Sequence, residues 1–178
     1  MAGEVGGGFS TRRLEMIPLR VEHAAEMAEV LADPALHRFI GGEPATPEAL
    51  RARYARLAAG SPEPGVGWLN WVIRLRDDRR LVGTVQATVQ GAEGAEGAEG
   101  ARSAEVAWVV GTPWQGRGIA TEAACGLVRR LAAHRIRPVV AHIHPDHAAS
   151  AAVAAAAGLA PTAEWHDGEV RWRFAPTG

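Results

Sequence analysis

The sequence predicts a single mixed α/β domain on three observations. Stretches with the two-residue alternation of strands dominate the first and last thirds of the chain, and stretches with helical spacing lie between them. Residues 106–120 run from a short apolar segment through a proline-containing turn into a glycine-spaced loop, and a helix follows at once. The length, 178 residues, suits one domain, and a chain of this size buries roughly 70% of its unfolded surface around one core.

Each element follows from local pattern. Residues 1–12 are glycine-rich and polar, an expected disordered segment ahead of a domain that occupies residues 13–176. Residues 14–19 alternate apolar and polar, a short strand. From Val21 the spacing turns helical, with Ala24, Ala25, Met27, Ala28 and Leu31 facing a core until Asp33-Pro34 closes the helix. A second short turn, residues 35–40, ends at Gly41-Gly42. Thr46-Pro47-Glu48 places a cap before a proline at the first helical position, opening a helix to about Ala59.

After a proline- and glycine-rich connector at 61–67, strands at 68–74 and 81–89 meet across Asp77-Asp78 as a hairpin. Residues 91–100 repeat Gly-Ala-Glu three times, too few copies for a collagen helix or a solenoid, so they read as a flexible acidic loop. Residues 104–110 form the central strand, and the helix at 121–135 carries Leu127, Val128 and Leu131 on one stripe. Arg137-Pro138 restarts the chain as a strand at 139–144. An alanine helix at 150–157 stops at Gly158, and a last strand at 170–174 follows the turn at Asp167-Gly168.

The loop Gln115-Gly116-Arg117-Gly118-Ile119-Ala120 sits where a strand ends and a helix begins. Backbone N–H groups and the positive end of the helix dipole point outward together there, which makes an anion site. Gly116 and Gly118 let a phosphate approach the main chain. The loop is not a Walker loop, since no Gly-Lys-Ser/Thr follows, and not a dinucleotide fingerprint, since the third glycine is absent. It matches Gln/Arg-x-x-Gly-x-Gly/Ala, with Gln115, Gly118 and Ala120 in the defining places, and so resembles the pyrophosphate loop of the GCN5-related N-acetyltransferase (GNAT) superfamily. The resemblance runs from Leu14 to Phe174, includes Arg80-Leu81-Val82-Gly83-Thr84-Val85 as the family's third strand, and is greatest to the branch that acetylates ribosomal-protein N-termini and small amines.

That resemblance implies a mostly antiparallel sheet splayed at its middle, flanked by helices, and acetyl-CoA as co-substrate without a metal. It assigns the diphosphate to Gln115, Gly116, Arg117, Gly118, Ile119, Ala120 and Thr121, and pantetheine to the exposed edge at Val109 and Val110, like an added strand. Arg117 either adds charge to the diphosphate or is a solvated loop residue. Glu105 matches the glutamate base of histone-type members, and is otherwise a strand-edge carboxylate in a structural hydrogen bond. The helix that carries a catalytic tyrosine in many members reads Ala-Ala-Val-Ala-Ala-Ala-Ala here, leaving Ser150 as the hydroxyl nearest the CoA thiolate. The family's Asn-x-x-Ser becomes His147-Ala-Ala-Ser150, so a titratable imidazole stands where pantetheine is held. Phe39, Ile40 and Tyr54 are candidate acceptor contacts. Trp68, Trp71 and Trp108 either line an aromatic wall or belong to the core.

A formal charge of −1 argues against broad nucleic-acid or membrane binding, both of which need a basic face. No secretory segment or bilayer-length apolar run is visible, so the cytoplasm is the expected location. The single cysteine, Cys125, reads as a packed thiol within a helix. His142-Ile-His144-Pro-Asp146-His147 spells the His-x-His-x-Asp-His string of metallo-β-lactamase-type hydrolases, but only 31 residues follow His147, with His166 and Asp167 the sole downstream candidates. The expected reaction moves an acetyl group to a primary amine of a small molecule or a peptide N-terminus. A non-catalytic acyl-CoA-binding module and a metal-dependent hydrolase are the alternatives, and a homodimer stays open.

Overall fold

The computed structural model describes residues 5–91 and 102–174. Its elements are β1 (Phe9–Ser10), β2 (Leu14–Pro18), α1 (Ala24–Val30), α2 (His37–Ile40), α3 (Pro47–Ala59), β3 (Val66–Leu75), β4 (Leu81–Gln90), β5 (Ser103–Val110), α4 (Ile119–Ala133), β6 (Val139–Ile143), α5 (Ala148–Ala156), β7 (Leu159–His166) and β8 (Glu169–Phe174). Short 3-10 turns precede α1, α2 and α4. Local chemistry sets the boundaries: Thr46 Oγ1 accepts the Ala49 N–H at 3.2 Å to cap α3, and Asp33 accepts the Ala35 N–H at 2.9 Å ahead of α2.

The strands form one open sheet in the order β1-β2-β3-β4-β5-β6-β8-β7. Every neighbouring pair is antiparallel except β5 and β6, which run parallel. That pair is in register only at Ala104↔Val139 and Glu105↔Val140. Beyond them the strands part, so the main chain at 106–110 keeps its β4 partner and faces a gap on the other side. This is the splayed, mostly antiparallel sheet that the family pattern implied.

Alternation along the central strands splits the core in two. Trp71, Ile73, Val85, Ala87 and Val106 pack on one face beneath α4, against Ala123, Leu127, Val128 and Leu131. Val72 turns to the opposite face, where it joins Met27 and Ala28 of α1 and Leu50 and Tyr54 of α3. The second core stops short of β5 and β6, leaving that part of the sheet open as a floor.

One expectation needs correction, and one strand was not foreseen. Residues 5–12 belong to the folded unit: Val5 is buried, the Trp71 indole N–H donates to the Gly7 carbonyl at 3.0 Å, and the Phe9 ring meets Trp71 edge-on at 5.5 Å. Glycine content signalled disorder, whereas two apolar anchors and a tryptophan donor fix the segment; residues 1–4 lie outside the described part. Residues 159–166, to which the sequence pattern assigned no element, form β7. It is an edge strand with Pro161 and an irregularity between Pro161 and Trp165, and its side chains are mostly exposed, so it carries no alternation to read. The Gly-Ala-Glu repeat beyond Gly91 lies outside the described residues.

Candidate active site

The anion loop is built as its spacing demands. Gly118 takes φ +74° at the cap of α4, a left-handed conformation open to glycine, and no side chain caps the helix. The positive end of a 15-residue helix therefore opens onto the loop. The Gln115 amide donates to the Val110 carbonyl at 3.0 Å, bracing the loop against the end of β5. A groove of about 490 Å³ runs along it, lined by Val109, Val110, Gln115, Gly116, Gly118, Ile119, Ala120, Thr121, His147 and Ser150. Of the residues assigned to the cofactor, Arg117 alone is outside the lining; it is exposed on the loop.

Sequence reasoning missed the clamp behind this loop. Glu122, in the first turn of α4, accepts from Thr11 Oγ1 at 2.6 Å, from the Arg13 N–H at 2.8 Å and from Arg13 Nε at 2.6 Å. Arg13 Nη1 then donates to the Arg117 carbonyl at 3.0 Å, which turns that oxygen toward a cation. Burial pushes the Glu122 pKa up, but the hydrogen bonds from Thr11 and Arg13 and the Arg13 charge outweigh it and hold the carboxyl below its usual range. The partners stand 109 or more residues apart in the chain, a separation that no local motif reports.

A second cavity, about 450 Å³, opens over the floor of β3 to β6 beneath α2 and α3. Glu105, Tyr54, His142 and His144 line it, and Phe39, Ile40, Trp108, Val109, His147 and Ser150 line both cavities. The two spaces therefore meet along the open edge of β5. Glu105 reaches across the gap to His142 on β6, with Oε1 2.9 Å from Nδ1. His142 is mostly buried at 14% side-chain exposure and Glu105 is at 55%, so the imidazole is fixed while the carboxylate reaches solvent.

His147 stands at the cap of α5 with no side-chain bond to the helix backbone, stacks on Phe39 at 4.1 Å and 5°, and shares a 3.5 Å hydrogen bond between Nε2 and Ser150 Oγ. Burial, then the neighbouring His144, pushes its pKa below the ordinary value, which favours the neutral ring. Tyr54 is buried in the second cavity wall, and burial pushes its phenol up to about 12.

The tryptophans divide: Trp71 is fully buried in the core, Trp68 is half-buried and outside both cavities, and Trp108 lines both. Trp114, not singled out in the sequence, lines the groove. Cys125 is half-buried and its thiol donates to the Ala156 carbonyl at 3.4 Å, a packing contact between α4 and α5. The histidine string does not assemble a metal site. His142 is held by Glu105, His144 Nδ1 accepts the Asp146 N–H at 3.2 Å, and no group of three His, Cys, Asp or Glu among the described residues is arranged to hold an ion.

The family profile described as "Acetyltransferase (GNAT) domain" matches residues 13–160. The chain belongs to the GNAT family. GNAT acetyltransferases use acetyl-CoA, and the groove along α4 and β5 fits it: an uncapped helix terminus for the diphosphate and an unpaired strand edge for pantetheine. Solved structures share the fold. A GNAT-family acetyltransferase from Bacillus anthracis superposes with a TM-score of 0.73 at 16% identity, covering 93% of this chain and 95% of that one. A Vibrio cholerae protein assigned as a ribosomal-protein-serine acetyltransferase gives 0.67 at 15%, covering 95% and 97%. The microcin C7 self-immunity acetyltransferase MccE, in complex with acetyl-CoA and AMP, gives 0.69 at 15%, covering 92% of each chain. No curated protein matches the sequence. Among the described residues no helix is long and apolar enough to cross a membrane.

Proposed function

We propose that this GNAT protein is an N-acetyltransferase that moves the acetyl group of acetyl-CoA directly to a primary amine, of a small molecule or a peptide N-terminus. The observation that supports this most is the meeting of the two cavities at the open edge of β5, with the Glu105–His142 pair on the acceptor side. Acetyl-CoA supplies a thioester carbonyl. The loop at 115–121 holds its diphosphate and the β5 edge at Val109 and Val110 orients its pantetheine; a main-chain donor on that edge serves the carbonyl oxygen.

On the acceptor side, Glu105 takes the amine proton directly or through water, and His142 fixes the carboxylate for that work. The nitrogen lone pair then attacks the carbonyl carbon, the carbon–sulfur bond breaks, and Ser150 provides a hydroxyl to the departing thiolate. Deprotonating a lysine-like amine at pH 7 costs roughly 4.6 kcal/mol and an α-amine about 1 kcal/mol, so the demand on Glu105 depends on the acceptor. An acceptor panel of amines and N-terminal peptides, read by CoA release, tests the reading. Glu105→Gln is expected to lower kcat/KM about 100-fold for a lysine-like acceptor and less for an α-amine. A change within a few-fold across pH 6 to 9 removes Glu105 as the base, and acetyl-CoA binding without turnover of any amine leaves a binding module.

A further inference from the structure

The acceptor cavity holds polar groups that the chemistry of transfer does not use. Tyr54 is 3% exposed, lines the cavity from α3, and its hydroxyl is buried without a hydrogen-bond partner among the described residues. A buried hydroxyl left unpaired is costly, because the water it gave up is not replaced. Leu50 and Leu57, one turn to either side on α3, also line the cavity, so the hydroxyl is set in an apolar surround. Its pKa of about 12 keeps it neutral, a donor and acceptor without charge.

Across the cavity, Asn70 on β3 and Gln86 on β4 are register partners, and both line the same space. Neither side-chain amide has a hydrogen bond among the described residues. Two amides on the floor and one phenol in the wall make a set of neutral hydrogen-bonding groups beside the Glu105–His142 pair, with Gln86 diagonal to Glu105 in the β4–β5 register. Among the described residues, the charged groups of the lining lean the other way: Glu43, Glu105 and Glu169 against the single guanidinium of Arg53. Such a lining favours an ammonium-bearing acceptor and disfavours one with a free carboxylate.

We infer that the acceptor carries, besides its amine, an uncharged amide or hydroxyl that is received by Tyr54, Asn70 and Gln86, and that it lacks a free carboxylate at that end. This rests on the amine-acceptor reading. A peptide amide and the hydroxyl of a small amino alcohol share this chemistry.

The experiment compares an amidated dipeptide, the same dipeptide with a free carboxylate, an amino alcohol and an alkylamine of matched length. Each is measured for turnover by CoA release and, separately, for binding by calorimetry in the presence of CoA. The two acceptors that carry an uncharged polar group beside the amine are expected to exceed both the alkylamine and the free-acid dipeptide by about tenfold in kcat/KM and in affinity. Tyr54→Phe should remove most of that preference through acceptor KM while the acetyl-CoA dissociation constant stays put, and Gln86→Leu, at an exposed floor position, should do the same in part. The better of the dipeptide amide and the amino alcohol identifies the source. Equal handling of all four acceptors by the native protein, or a preference untouched by Tyr54→Phe, overturns the inference. Tyr54-dependent binding without acetyl transfer overturns the catalytic reading and leaves this one standing.

Discussion

Arg13 joins three parts of the molecule: the N-terminal segment that carries it, the first turn of α4 through Glu122, and the Arg117 carbonyl of the loop proposed to hold the diphosphate. It is a positioning residue, so its loss should act on cofactor binding and leave the chemical step alone. Arg13→Ala is expected to raise the acetyl-CoA KM about tenfold, with acceptor KM and kcat near native values; steady-state kinetics in both substrates checks the split. Glu122 adds a pH signature. Its folded pKa is depressed, so its contribution to stability is present above the unfolded carboxylate pKa and is lost as pH falls through the lower folded value. Thermal melts from about pH 3 to 6 should show a steeper acid-side loss for the native chain than for Glu122→Gln.

Among elements, β4 leaves no room for a side chain against β5 at Gly83. A Cβ built there would stand 2.2 Å from the Val109 carbonyl oxygen and 3.0 Å from the Val110 Cα, both main-chain atoms of a paired strand. Gly83→Ala must therefore shift β5 at the two residues assigned to pantetheine. The expected outcome is a loss of about 2 kcal/mol in stability together with weaker acetyl-CoA binding, read by denaturant melts and calorimetry; native affinity in the variant would detach β5 from cofactor binding. Elements of this kind were legible in the sequence where periodicity and caps coincide. The helix opened by Thr46-Pro47 runs over the predicted residues, and β3 to β6 fall within two residues of their expected ends. β7 was not legible, because a strand paired on one side and exposed along its length carries no alternating pattern. The site divides the same way. Glycine spacing announces the loop, whereas the Glu105–His142 contact joins residues 37 apart on strands that barely pair, and its histidine was spelled into a metal string.

For the whole molecule, the N-terminal segment changes where the domain begins. Val5, Phe9 and the Arg130 guanidinium 5.1 Å over the Phe9 ring extend the core past the expected boundary at residue 13. The same segment carries Thr11, whose hydroxyl enters the Glu122 clamp, so the fold and the glycine-spaced loop at 115–120 share one strap.

The divergence of β5 from β6 leaves two strand groups stitched by two residue pairs. In thermodynamic terms the sheet is one strand short, and a ligand that fills the gap becomes part of the folding equilibrium. Acetyl-CoA at 100 times its dissociation constant should stabilise the native state by about 2.7 kcal/mol, which for a chain of this length raises Tm by roughly 5–11 °C. Amide exchange gives the finer reading. Main-chain protons at 106–110 that point toward β4 should be protected with or without ligand, and those facing the gap should exchange fast in the free protein and slow once acetyl-CoA is bound. Uniform protection along β5 before ligand is added would mean that the strand has no vacancy to fill.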